Sequence, residues 1–417
     1  MILLNTLPKY DVVIVGGGTG GFAAAIAAAR NGAKTLLVER YGFLGGMATA
    51  GLVNPFMSFH IKGVPIIGGI LQELIDRLKD MNAYDEENRS FDPEVMKYVM
   101  DSMIVEAGVD LLLHTTFIDS VVHKNTIKGV ILHNKSGIYV VPAEIFVDGT
   151  GDGDVAVSAG APYEKGRKED GLMQPMTLNF DLAGVDVEKM PSREEINKAY
   201  REAKEREEIT CPREDVLWFY TVRRGIIHFN TTRIVMVDGT KVEDLTRAEM
   251  EGRRQMFEIV NWLKRTFQAF KNAYIIRSGV QIGVRETRRI IGEYVLTAED
   301  ILEARKFPDP ICRGNYPIDI HNPKGEGTVL KFPPPGDYYE IPYRCIVPLK
   351  VNNLLIGSRC ISATHEAYSA IRIMPIVMAI GQAAGTAAAL CAKLNIRPRD
   401  LEYEVLRDHL KDQGAII

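Results

Sequence analysis

The apolar and polar positions of this chain change pattern three times along its length. Residues 10–15, YDVVIV, read as a strand, apolar without a break from Val12 to Val15. The small-residue stretch after it predicts a helix over 19–31, and a second apolar run predicts a strand at 34–39. A Gly-rich loop continues through Gly51, and apolar residues at helical spacing predict a helix around 68–80 and another from Pro93 to Gly108. Three alternating segments follow: DLLLHTTFIDSVVHK, TIKGVILHN and GIYVVPAEIFVDGTG. They predict a small meander that leads into a buried strand at 144–148.

From about 161 to 340 the pattern shifts to longer strands and charged helices. Ser192 with Glu195, and Thr246 with Glu249, fit the S/T-x-x-E capping box that satisfies free N–H groups at a helix start. KFPPPGDYYEIP reads as a stiff connection. After it, NNLLIG is an apolar strand and MPIVMAIGQAAGTAAALCAKL a helix, so the first pattern returns. The expected organisation is an α/β domain built from 1–160 and 341–400, interrupted by an α+β insertion at 161–340 and followed by a helical tail at 401–417. The chain shows no internal repeat or low-complexity segment.

Composition narrows the function classes. With 417 residues, 46% apolar and 25% charged, and a net charge of −4 spread without a basic block, the chain reads as a globular protein with a large core. No nucleic-acid or membrane-surface partner is expected. Ile373 to Ala392 has the length of a membrane span, but Gln382, Thr386, two glycines and many alanines make it a buried helix instead. Cys211, Cys312, Cys345, Cys360 and Cys391 fit no zinc, iron–sulfur or CxxC spacing, so no metal site is expected and the thiols are read as reduced, in a cytoplasmic protein. The N-terminus lacks a basic n-region and a cleavage site, and no signal peptide is expected.

The strongest chemical signal is YDVVIVGGGTGGFAAAIAAARNGAKTLLVER. Gly16, Gly18 and Gly21 supply G-x-G-x-x-G between a strand and a helix, with Thr19 and Gly20 inside the turn. Glu39 ends the next strand, where a carboxylate accepts both hydroxyls of an adenosine ribose. Glycines let the backbone approach a pyrophosphate resting on the helix N-terminus. NAD and FAD both satisfy this motif; two further segments choose FAD. RYGFLGGMATAGLVNP, following Glu39 directly, places Gly45, Gly46 and Thr49 beside the inner phosphate and ribityl chain. FVDGTGDGD is a buried strand ending in a turn, Asp148 to Asp152, where backbone passes close to a cofactor; taken alone it would be an ordinary β-turn.

Together these residues resemble the FAD-dependent oxidoreductases of the glutathione-reductase-like superfamily, in the fumarate-reductase-related group. The resemblance covers most of the chain and rests also on SGVQIGVRETRRIIGEYVLTAEDI and NLLIGSRCISATHEAYSAIRIMPIVMAIGQAAGTAAAL. It implies a Rossmann-like FAD-binding domain with a central parallel sheet and a three-stranded meander, plus the inserted α+β substrate or cap domain. It also implies non-covalent FAD and hydride transfer between flavin N5 and a small polar or anionic substrate held between the two domains. Many superfamily members carry an acidic ribityl-binding residue after the strand matching NLLIG. Here the sequence is Gly357-Ser358-Arg359, with Ser358 or backbone as the replacement.

The implied cofactor set is Gly16, Gly18, Thr19, Gly20, Gly21, Glu39, Arg40, Gly45, Gly46, Met47, Thr49, Phe117, Ile118, Gly149, Thr150, Gly151, Asp152, Gly357, Ser358, Arg359, Ser369, Met374 and Pro375. The resemblance points the N-terminus of the final helix at the flavin, where its dipole stabilises the reduced anion. In ATHEAYSAIRIMP, Arg372 is expected to bind a substrate oxygen and His365 to be the acid/base beside it, oriented by Glu366. GVRETRRI, if extended, sets Arg285 and Arg289 on one face and Glu286 and Arg288 on the other, with Arg285 the third catalytic candidate. Tyr343, Arg344, His60 and His228 are read as structural. Only one dinucleotide fingerprint is present, so no separate NAD(P)H domain is expected. The rival readings are a fumarate-reductase-like reductase of an activated double bond, and a non-redox or single-turnover protein like the thiazole synthases of this fold. The expected partner is a small molecule, with a homo-oligomer open.

Overall fold

A computed structural model describes residues 5–417. Its centre is a five-stranded sheet in the spatial order Leu354–Ile356, Ala143–Asp148, Tyr10–Val15, Thr35–Val38, Asp110–Leu112. Every neighbouring pair is parallel, with Val13 opposite both Leu36 and Phe146, and Val147 opposite Leu355. The apolar runs are strands covered on both faces, as a parallel sheet requires. The C-terminal strand at 354–356 completes the sheet begun at residue 10.

Two helices pack against this sheet and against each other: Thr19–Arg30 and Met374–Leu394. Their contact depends on missing side chains. A Cβ on Gly381 would lie 2.0 Å from the Gly20 carbonyl oxygen, and one on Gly385 would lie 2.0 Å from that of Ala24. The later helix is long and apolar enough to cross a membrane by length and composition, yet 94% of its apolar window is buried inside the protein. It is a core helix.

The first of the three alternating segments splits. Asp110–Leu112 closes one edge of the parallel sheet, whereas Thr116–His123 joins Thr126–Asn134 and Gly137–Val141 in the antiparallel meander. Between them His114 adopts a left-handed conformation with φ 51°, which redirects the chain.

A second apolar core runs from Met176 to Val284. It is built on a sheet ordered Trp218–Tyr220, Ile227–Phe229, Phe180–Ala183, Tyr274–Ser278, with helices Arg193–Glu205 and Val242–Thr266. Its strands are short, none exceeding 5 residues, contrary to the longer strands expected. This core is also narrower than the 161–340 insertion, because Ile290, Leu296, Ile311, Ile318 and Tyr339 pack into the first core. The Ser192–Glu195 capping box forms. The one at Thr246 does not: the helix already begins at Val242, Thr246 donates to the Val242 carbonyl, and Glu249 accepts from the Ile282 N–H instead. All five cysteines are buried free thiols.

Candidate active site

A cavity of about 1230 Å³ opens between the C-terminal ends of the parallel strands and the second core. Its inner wall is the fingerprint. Gly16 has φ 98°, and a Cβ there would lie 2.5 Å from the Gly149 carbonyl carbon, so strand, turn and the 149–152 loop close around one another only without side chains. The helix at Thr19 is capped by Gly18 with no side-chain cap, which leaves its first N–H groups to a phosphate. Glu39 is 5% exposed; its carboxylate accepts from the Gly17 N–H at 2.7 Å and the Tyr41 N–H at 2.9 Å. Burial pushes its carboxyl above the ordinary range, against those two hydrogen bonds.

The opposite rim is tied to the second domain by Asp152. Its Oδ1 accepts from Arg359 at 2.6 Å and from Thr287 at 2.7 Å, while Arg288 donates to its carbonyl at 3.0 Å and to Asp154 at 2.7 Å. Fully buried Asp148 sets the turn by accepting from the Thr150 N–H and hydroxyl and from the Ala156 N–H. Burial pushes its carboxyl up to about 6. Ser358, where an acidic residue was the alternative, donates to the Asp148 carbonyl at 3.2 Å. Capless helix, pyrophosphate-sized glycine cradle and ribose carboxylate fit FAD.

Gly16, Gly18, Thr19, Gly20, Glu39, Arg40, Gly46, Met47, Phe117, Ile118, Gly149, Thr150, Gly151, Asp152, Ser358, Arg359 and Met374 all line the cavity. Six of the assigned residues are set back from it, each for a packing reason. A Cβ on Gly21 would meet the Gly16 oxygen at 1.8 Å, so this glycine serves the close approach of helix to strand. Gly45, with φ 104°, packs against Thr49, whose hydroxyl donates to the Leu44 carbonyl at 2.5 Å. Gly357 lies against Val147, and Pro375 is the second residue of the buried helix. Ser369 is fully buried: its hydroxyl donates to the Glu366 carbonyl at 2.6 Å and accepts from the Asp319 N–H at 3.0 Å.

The catalytic candidates separate in the same way. Arg285 and Arg372 line the cavity, but His365 does not. His365 Nδ1 is bonded to Glu286 at 2.8 Å, and Glu286 also takes Arg289 at 2.6 Å and the Gln174 N–H at 3.0 Å. His365 therefore ties the 365–371 helix to a buried ion pair, and Glu366, expected to orient it, is exposed. The face assignment in GVRETRRI also fails. The strand begins only at Arg288, so the bend before it lets Glu286 pair with Arg289 while Arg285 turns to the cavity. His228 is bonded to Asp181, Tyr343 to the Pro398 carbonyl and Arg344 to Asp309, all structural contacts.

Arg285 is the distinctive group. It lies deep in the molecule and keeps some exposed surface only where it faces the cavity. Its hydrogen bonds go to the Pro175 carbonyl at 3.2 Å and the Thr177 hydroxyl at 2.9 Å, with no carboxylate among them. Desolvation first, then the charge of Arg372, pushes its guanidinium well below its ordinary value. Arginine keeps its proton in proteins, so that pressure is relieved by an anion rather than by deprotonation.

Sequence reasoning missed the groups around it. Asp319 receives Arg372 at 3.1 Å and the Tyr316 hydroxyl at 2.9 Å, and lies 3.4 Å from His321 Nε2. Burial raises the Asp319 carboxyl, but the His321 hydrogen bond and the Arg372 charge outweigh it and hold it well below the usual range. Arg233 donates to His321 Nδ1 at 3.0 Å; since arginine only donates, Nδ1 is an acceptor and the proton sits on Nε2. Burial, then the Arg285 charge, pushes His321 down to about 3. The signal was NYPIDIH, which sets Tyr316, Asp319 and His321 within one short alternating segment.

Comparison with known proteins gives the family. The model of the family described as FAD dependent oxidoreductase matches residues 11–410. Digeranylgeranylglycerophospholipid reductase 2 of Methanothermobacter thermautotrophicus is 28% identical over 195 residues, 43% of this chain and 48% of that protein. Thiamine thiazole synthase of Methanococcus vannielii is 28% identical over 176 residues, 38% of this chain and 62% of that protein. The matched stretches thus span less than two thirds of these relatives' own lengths. Among solved structures, L-proline dehydrogenase from P. horikoshii aligns over 100% of both chains at 14% identity, with a TM-score of 0.45. The family match runs over nearly the whole chain, and on that ground this protein belongs to the FAD dependent oxidoreductase family.

Proposed function

We propose that the enzyme exchanges a hydride between FAD and a small anionic substrate bound at the Arg285–Arg372 end of the cavity. The observation that carries this reading is Arg285, a deep cavity-facing guanidinium whose bonds reach only neutral oxygens. FAD supplies two-electron acceptance and donation at its ring. The protein's part is binding and orientation. Arg285 and Arg372 grip a substrate oxyanion, and Asp319 holds Arg372 in place. Tyr316, pushed up by burial and by the Asp319 charge, stays a protonated phenol across the physiological range. His321 stays neutral there, so no second positive charge appears beside Asp319.

Anaerobic mixing of the FAD-loaded enzyme with carboxylates and with neutral isosteres tests this. Flavin absorbance is expected to change with the anions alone. Arg285→Gln is expected to retain FAD and to weaken substrate by about 2–5 kcal/mol, on the order of 30-fold or more, the cost of losing one partner of a buried charge pair. Equal response to neutral isosteres, or unchanged affinity in Arg285→Gln, refutes the reading.

A further inference from the structure

Beside Arg285, the sheet of the second domain sets two asparagines in the cavity wall. Phe180 faces Phe229 at the end of the antiparallel ladder, and the residues just beyond that pair, Asn179 and Asn230, both line the cavity. Thr177, which binds the Arg285 guanidinium, precedes Asn179 by two residues on an extended stretch and so shares its side. Asn179 is 1% exposed. Its Nδ2 donates to the carbonyl of Gly51, next to the cofactor loop, at 2.8 Å. Only the amide nitrogen can make that bond, which fixes the side-chain orientation and leaves Oδ1 as an acceptor with no partner. Asn230 Oδ1 is likewise buried and unpartnered.

A buried acceptor without a donor is costly, and a binding site is where such a group finds its partner. This end of the cavity therefore presents donors at Arg285 and Arg372 and acceptors at Asn179 and Asn230. The complementary ligand has an oxyanion and, beside it, a hydrogen-bond donor. The donor is a hydroxyl or an ammonium, and the charges decide between them. Each carboxylate on this side already holds an arginine: Asp215 holds Arg213, Glu214 holds Arg233 and Asp319 holds Arg372. Arg285 is left over, and the free acceptors are neutral amide oxygens. An ammonium here would meet an excess of positive charge, with every carboxylate of this wall already engaged by an arginine.

We infer that the substrate class is the hydroxy acids, with the carboxylate on Arg285 and Arg372 and the hydroxyl donating to Asn179 Oδ1, Asn230 standing beside it. The inference rests on the anion-binding reading above. Its test is calorimetric titration of the FAD-loaded enzyme with matched triplets that differ only in OH, H or NH3⁺: glycolate, acetate and glycine; lactate, propionate and alanine; malate, succinate and aspartate. In at least one triplet the hydroxy acid is expected to bind at least about tenfold tighter than both counterparts, since a site built for a hydroxyl rejects the analogue without it. Asn179→Leu should bring the hydroxy and deoxy acids within about threefold of each other by weakening only the hydroxy acid. Asn230→Leu, which leaves the Gly51 contact intact, should reduce the same preference if the first variant folds poorly. Arg285→Gln should weaken hydroxy and deoxy acids alike. Equal binding of hydroxy and deoxy acids to the unaltered enzyme, tighter binding of the amino acid, or a preference that survives both asparagine variants overturns the inference while leaving the anion reading intact. If no carboxylate of any triplet binds, the anion reading falls and takes this inference with it.

Discussion

Replacing Glu39 separates what this carboxylate does for the fold from what it does for the cofactor. Its two oxygens each accept one backbone N–H, from Gly17 and from Tyr41, in a site that is 5% exposed. A carboxylate offers about four acceptor positions, so roughly two remain for the hydroxyls of an adenosine ribose. Glu39→Ala removes both sets. Two buried N–H groups lose their acceptor at about 1–3 kcal/mol each, so the apoprotein should lose about 2–6 kcal/mol, a large part of a typical total. The FAD complex should lose a further ~1.5–3 kcal/mol, the range for hydrogen bonds to a charged group, or about 10- to 150-fold in dissociation constant. Glu39→Gln keeps one acceptor oxygen but sets its amide N–H against the second backbone donor, so it should fall between wild type and alanine on both scales. Thermal unfolding of the apoprotein reads the first effect and equilibrium dialysis of FAD the second. An alanine variant that binds FAD with unchanged affinity would show that the ribose is held elsewhere. One that loses affinity with no loss of apoprotein stability would refute the structural half of the reasoning.

Two further outcomes follow from buried groups. Asp148 has a folded-state value of about 6 against an ordinary 3.8, so between those pH values the native state binds more protons than the unfolded one. Stability therefore falls as pH rises from about 4 to about 6 and stays reduced above that, by about 3 kcal/mol. Asp148→Asn should remove that slope from a pH series of denaturant melts, and a slope that persists would assign it to another group. His365→Ala should lower the melting temperature, because a buried hydrogen bond to Glu286 is worth about 1.5–3 kcal/mol. It should leave flavin reduction within about threefold of wild type; a loss of 10²-fold or so, the scale of a missing acid/base group, would return His365 to the chemistry.

What the sequence determined by itself is local. G-x-G-x-x-G between an apolar run and a small-residue helix, followed by Glu39, has one physical solution: a backbone turn tight enough to admit a pyrophosphate. Gly16, Gly18 and Glu39 line the cavity. The central strands were legible too, as short apolar runs between turns, whereas their parallel pairing was implied by the family resemblance. Residues chosen for nearness in sequence to those features fared less evenly. Gly21, Thr49 and Ser369 belong to the same segments as cavity-lining residues, yet helix packing and backbone hydrogen bonds turn them inward. His365 and Arg372 share one short stretch, but from the first residue of its helix and from the C-cap, about two turns apart, they part ways, His365 to the buried Glu286 and Arg372 to the cavity and Asp319. The substrate end was decided only by tertiary structure. It gathers Asn179, Asn230, Arg285 and Arg372 from distant parts of the chain around the one segment that carries Tyr316, Asp319 and His321, and no periodicity links those five stretches. What selects them is burial: each hydrogen bond or unmet charge there exists because the fold has withdrawn water from it, and a linear sequence carries no record of where water will be absent.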